Sequence, residues 1–156
     1  MKFFWVCFVG CCALSAQTPP KTLPKPFADA VSAADAEGYV GNSVCRTCHP
    51  TQWQDFFRNP HYKSVASAKE PAAKTGCEGC HGPAKKHVEA MGGRTTIPNA
   101  FSLMPPRQAL DTCLTCHGKD YSRADIHRSS HTQSNIACNS CHSVHKPATP
   151  KFLLVS

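Results

Sequence analysis

The sequence predicts a mainly α-helical fold with extensive irregular loops, organised around prosthetic groups rather than around a polypeptide core. Three observations carry this prediction. The pattern Cys-x-x-Cys-His occurs four times, Leu, Ile, Val and Phe are few, and 13 prolines punctuate short stretches of helical periodicity. The 156 residues suffice for one small domain, and its 41% apolar share includes 11 cysteines. A chain with so little aliphatic mass cannot bury a large core by itself.

The four motifs are Cys45-Arg46-Thr47-Cys48-His49, Cys77-Glu78-Gly79-Cys80-His81, Cys113-Leu114-Thr115-Cys116-His117 and Cys138-Asn139-Ser140-Cys141-His142. Two cysteines two residues apart with histidine immediately after form the attachment signature of a c-type haem. The thiols add to the porphyrin vinyl groups, and the adjacent imidazole becomes the proximal iron ligand. Four covalently bound haem c groups are therefore expected. The result is a small multihaem cytochrome c fold in which the polypeptide wraps four haems. CxxC pairs are also half-sites of zinc ribbons, but zinc has no need of histidine after every pair. A thioredoxin-type dithiol calls for one such motif between a strand and a helix, not four. Eight of the 11 cysteines are committed to the motifs, which leaves none in the mature chain for a disulfide or a catalytic thiol.

Taken in order, residues 1–16 read as a signal peptide. Lys2 precedes the apolar run from Phe3 to Leu14, and Ser15-Ala16 supplies small residues before the expected cleavage. The run is too short for a spanning helix. Export to the periplasm is expected, because c-type haem attachment takes place outside the bacterial cytoplasm. Val9-Gly10-Cys11 loosely resembles a lipoprotein site, so a lipid anchor is the minor alternative. Residues 17–38 carry Pro19, Pro20, Pro24 and Pro26 and then an alanine-rich stretch, which reads as a linker.

The tetrahaem domain spans residues 39–146, from Tyr39-Val40-Gly41. Pro50 suits the first turn of a helix, on which Trp53, Phe56 and Phe57 share one face for packing on a porphyrin. Asn59-Pro60 stops that helix and presents His61. Gly82-Pro83 leads into a helix from Ala84 to Met91 bearing His87, which Gly92-Gly93 ends. Residues 94–108 read as a connecting loop, and a helical turn from Gln108 to Thr112 delivers the third motif. Residues 147–156 are a tail too short to form an element.

From Cys113 the layout repeats. Each half reads motif, later histidine (His61 or His131), motif, later histidine (His87 or His145), as expected of a duplicated two-haem unit of roughly 65 residues. Four of the nine histidines are proximal, and His61, His87, His131 and His145 fall in register as distal ligands, which leaves His127 over as a surface residue or propionate partner. The expected metal ligands are thus His49, His81, His117 and His142 with His61, His87, His131 and His145. Methionine would be the competing ligand, but Met91 and Met104 are read as packing residues. Which distal histidine serves which haem stays open at this point.

The stretch from Tyr39 through Cys45, Cys48, His49 and Pro50 to Asn59-Pro60-His61 resembles the tetrahaem cytochromes of the ammonia-oxidiser electron-transfer family. Gly76-Cys77-Glu78-Gly79-Cys80-His81-Gly82-Pro83 with His87-Val88, and Cys138 to His145, resemble periplasmic decahaem cytochromes of outer-membrane electron conduits and dimethyl-sulfoxide respiration. The likeness covers residues 39–146. It implies a periplasmic electron carrier with bis-histidine haems. With four motifs rather than ten, a short shuttle or one module of a chain is expected rather than a long wire through an outer-membrane barrel.

The resemblance implies redox partner proteins: other cytochromes, a quinol oxidoreductase or a terminal reductase. Exposed haem edges beside Lys85, Lys86 and Lys146 could set the docking, although solubility is the better account of those lysines. The formal charge of +7 does not argue for nucleic acid, because the propionates of four haems bring about eight negative charges. Membrane association is expected only through a lipid or a membrane-bound partner. Two other functions remain as alternatives. One is a nitrite- or hydroxylamine-type oxidoreductase with one open haem; the other is a subunit of a haem filament, with His127 or the N-terminal segment at the interface.

Overall fold

The computed structural model describes residues 22–66, 69–146 and 153–154. Helices and turns dominate. Among the described residues no strand forms, and only an isolated antiparallel bridge joins His142 to Leu153. The expected signal peptide, with Cys7, Cys11 and Cys12, lies outside the described residues, as does most of the tail. Among the described residues no helix is long and apolar enough to cross a membrane.

Among the described residues, six short helices build the first half. Helix α1 (Lys25–Ser32) starts after Pro24, with Pro26 in its first turn, where a missing N–H costs nothing. It packs against α2 (Asn42–Cys45) and α6 (Lys85–Glu89). The segment read as a linker therefore contains a packed helix. Pro24 and Pro26 open this helix rather than interrupt it. Helix α3 (Pro50–Phe56) starts at Pro50 as expected. Its aromatic face meets the next helix, α4 (Tyr62–Ala66): Phe57 and Trp53 rings lie 5.2 Å apart, and Phe57 and Tyr62 4.7 Å apart. Helix α5 (Gly76–His81) contains the whole second motif and touches α2, α4 and the 3-10 turn Ala72–Lys74.

Helix α6 is shorter than expected, since Ala84 and Ala90 cap it rather than belong to it. Met91 follows at φ 55° and Gly92 and Gly93 at 111° and 103°, so the chain leaves the helix through a left-handed run. Met91 is 55% exposed and does not pack against the polypeptide as expected, whereas Met104 does.

In the second half, α7 (Pro106–His117) is longer than the turn expected at residues 108–112. Pro105 and Pro106 open it, and it runs without a break through the third motif. Two capped helices follow. Ser122 accepts from the Asp125 N–H at the start of α8 (Arg123–Arg128), and Ser129 from the Thr132 N–H at the start of α9 (Ser130–Gln133). The core is as small as the composition implies. Ala109, Leu110 and Leu114 of α7 meet Ala137, with Phe101, Met104 and Ile126 packed around them.

Candidate haem-binding site

Each motif is a single turn of helix. His49 N–H donates to the Cys45 carbonyl at 2.9 Å, and His142 N–H to the Cys138 carbonyl at 2.9 Å. The second and third motifs lie inside α5 and at the end of α7. Residues three and four apart share a helix face. The turn therefore carries both cysteines and the histidine on one side, as a single porphyrin requires.

The thiols approach one another in a repeated way. Cys45 and Cys77, the first cysteines of motifs one and two, share a hydrogen bond that raises Cys45 and lowers Cys77, burial adding to the rise at Cys45. Cys113 and Cys138, the first cysteines of motifs three and four, are also neighbours. Burial, with the Cys138 thiol next to it, pushes Cys113 up to about 12. Between the pairs, burial raises Cys80, and the nearby Cys116 and Cys77 add to the rise. The motifs thus adjoin in the order one, two, three, four.

The imidazoles come together in pairs. His49 and His87 have ring centroids 6.3 Å apart and planes 18° apart. His81 and His145 are 5.8 Å and 17° apart. His61 and His117 are 6.0 Å apart and nearly perpendicular, at 87°. Each pair joins a proximal histidine to one of the expected distal ligands. The two candidates that remain are His131, in α9, and His142, after the last turn.

In four of these rings hydrogen bonds fix which nitrogen is left. Nδ1 of His61 lies 2.8 Å from Asn59 Oδ1, and Nδ1 of His81 lies 3.0 Å from the Asn99 carbonyl. His87 Nδ1 is held by Thr96 Oγ1 at 2.9 Å and the Gly93 carbonyl at 3.1 Å. His117 Nδ1 is held by Asp120 Oδ2 at 3.1 Å. The Asn99 and Gly93 carbonyls can only accept, which fixes the proton on Nδ1 in His81 and His87. Asn59 Oδ1 and the Asp120 carboxylate fix it in the same way in His61 and His117. Nε2 is then the free lone pair in all four rings, the arrangement that orients metal-binding imidazoles. Burial lowers His61, His81 and His145 below the usual imidazole range and keeps them neutral.

These residues fit haem. Two imidazoles bound through Nε2 on opposite faces of one iron, with metal–nitrogen bonds of about 2 Å, have centroids roughly 6 Å apart. All three pairs meet that spacing. They do not fit zinc: among the described residues no three His, Cys, Asp or Glu side chains converge to hold an ion unaided. His127 stands apart. Its Nε2 lies 2.9 Å from Asp111 Oδ1, which ties α8 to α7, and its Nδ1 is buried without a partner.

Several supporting residues were not foreseen. Asn59 is buried, and besides holding His61 its amide donates to the Val144 carbonyl beside His145. Glu78, within the second motif, is 4% exposed and accepts from the N–H groups of Val40, Gly41 and Ala84 at 2.8–3.0 Å. The variable positions of a CxxCH motif give no signal of such a role. Asn59 did carry one, as a turn residue two before a histidine.

The family described as cytochrome c-type protein NrfB-like matches residues 77–154. The multiheme cytochrome MtrA of Shewanella baltica (strain OS185) is 30% identical over 131 residues, covering 83% of this chain and 37% of that protein. The chain thus spans little more than a third of the length of that relative. No solved structure matches.

Proposed function

The chain belongs to the NrfB-like family of multihaem c-type cytochromes, and on that premise we propose that it is a periplasmic tetrahaem electron carrier with two histidines on every iron. Electron transfer is the function that its relatives imply. The pairing of the imidazoles carries the finer reading. His49 with His87, His81 with His145 and His117 with His61 each stand at the spacing of opposed axial ligands. The fourth iron then falls to His142 with His131.

The eight motif cysteines would hold four haems by thioether bonds. Bound haem c supplies a one-electron iron couple. The chain's own residues do the rest. Carbonyls, a hydroxyl, an amide and a carboxylate hold the Nδ1 atoms of His61, His81, His87 and His117, and Nε2 of these four rings is kept aimed by that bond. The matching Cys45–Cys77 and Cys113–Cys138 contacts support a duplicated two-haem unit, and Cys80 beside Cys116 joins the two units. Electrons would pass along the order of the motifs.

Redox proteins such as other cytochromes, a quinol oxidoreductase or a terminal reductase would dock through small, transient interfaces. Lys86 and Lys146 are exposed for such encounters. Residues 1–16 would direct export. Catalysis at haem needs an open iron position, and the three pairs favour closed irons over a nitrite- or hydroxylamine-type enzyme. The Asp111 bond of His127 favours an internal role for that residue over ligation across a filament interface.

A potentiometric titration of the purified holoprotein tests this reading. Uptake of four electrons per chain, with no turnover of nitrite or hydroxylamine, is expected. Fewer than four, or turnover, would contradict it.

A further inference from the structure

The four rings whose Nδ1 partners are described differ in one respect. His61 is held by an amide, His81 by a carbonyl, and His87 by a carbonyl and a hydroxyl. His117 alone among them is held by a carboxylate, Asp120 Oδ2 at 3.1 Å. The contact is local, three residues along the chain, where α7 ends and the chain turns: Asp120 N–H donates to the His117 carbonyl at 3.1 Å, so backbone and side chain bind the same residue.

A carboxylate at Nδ1 draws the imidazole proton towards itself and makes Nε2 a stronger donor. A stronger, more anionic donor favours the oxidised, more positive iron and lowers the reduction potential; second-shell hydrogen bonding is one of the levers a protein has on haem. Resting on the ligation proposed above, we propose that Asp120 is a tuning residue that holds the haem of Cys113, Cys116 and His117 at a lower potential than a neutral partner would. One electron enters or leaves, and no bond is made or broken. Two other carboxylates bound the effect. Asp55 acts on His145 through space, raising it against the burial that lowers it. Asp125 is paired with Arg128 at 2.8 Å.

The same haem carries its own spectroscopic label. The planes of His61 and His117 cross at 87°, while those of His49 and His87, and of His81 and His145, lie within 18° of parallel. Parallel planes split the iron d orbitals that overlap the imidazole π systems. Crossed planes leave them nearly degenerate, which gives a low-spin EPR signal of very large g anisotropy.

The test is an EPR-monitored redox titration of the full-length holoprotein as wild type, Asp120→Asn, Asp120→Glu and Asp125→Asn. Asp120→Asn should raise the potential at which the large-anisotropy signal disappears and leave the rhombic signals in place. Asp120→Glu should restore the wild-type value, and Asp125→Asn should not move it. No shift in Asp120→Asn, an equal shift of every haem, or a new high-spin signal in that variant would overturn the tuning role. The last would mean that Asp120 merely keeps the ligand in place. A high-spin signal already present in the wild type would instead sink the ligation itself.

Discussion

The rings of His61 and His117 stand 6.0 Å apart and at right angles, although His61 lies between the first two motifs and His117 closes the third. A second pair, His81 and His145, crosses between the same halves, and the Asn59 amide donates to the Val144 carbonyl alongside. The two halves therefore clasp each other through paired imidazoles, the ligands proposed above, rather than through a shared aliphatic core. The buried cluster around Leu110 and Leu114 is too small for that work.

His61→Ala removes one ligand from that clasp. The holoprotein should then show one high-spin haem that takes up carbon monoxide, with the others low-spin. Loss of no low-spin haem in quantitative EPR would show that His61 is not a ligand.

Asn59→Ala acts on both sides of the same junction. It removes the acceptor of the His61 N–H and Nδ1 and the donor to the Val144 carbonyl, half-buried bonds worth about 0.5–1.5 kcal/mol each. Thermal melts of the holoprotein should drop accordingly. The large-anisotropy EPR signal should broaden as His61 loses its fixed orientation.

Glu78→Ala strands three backbone N–H groups, those of Val40, Gly41 and Ala84. A loss of about 2 kcal/mol or more is expected, since each stranded donor carries its own penalty. Glu78→Gln retains one acceptor oxygen and should cost less. Equal melting temperatures for wild type and Glu78→Ala would remove Glu78 from the account.

His127→Ala should leave every iron as it is. The hydrogen bond with Asp111 is lost, but Asp111 is 46% exposed, so about 1 kcal/mol or less is at stake. Carbon monoxide uptake by this variant would instead make His127 a ligand.

The motifs were legible in the sequence because covalent attachment demands fixed residue types, and the histidines proposed as distal ligands stood out by their register. The pairing was not legible. Register across the duplication matches His61 to His131 and His87 to His145. Equivalent partners would then put His145 with His117, the counterpart of the His49–His87 pair. His117 instead meets His61, and His145 meets His81. Loop lengths differ between the halves, so each histidine meets the ring that its loop can reach.

Among the helices, α3 was readable from Pro50, and α6 from its glycine stop. Helix α1 was hidden because proline reads as a breaker unless it falls in the first turn. Helices α8 and α9 are only 6 and 4 residues long, too short for periodicity. The Ser122-Arg123-Ala124-Asp125 pattern was nonetheless a start signal in plain view.

The central claim, four irons each closed by two histidines, is tested most directly by quantitative EPR of the oxidised holoprotein followed by carbon monoxide addition to the reduced form. The account predicts only low-spin signals, integrating to four haems per chain, and no carbon monoxide complex. A stoichiometric high-spin haem that binds carbon monoxide would contradict it and move the open-haem enzyme ahead.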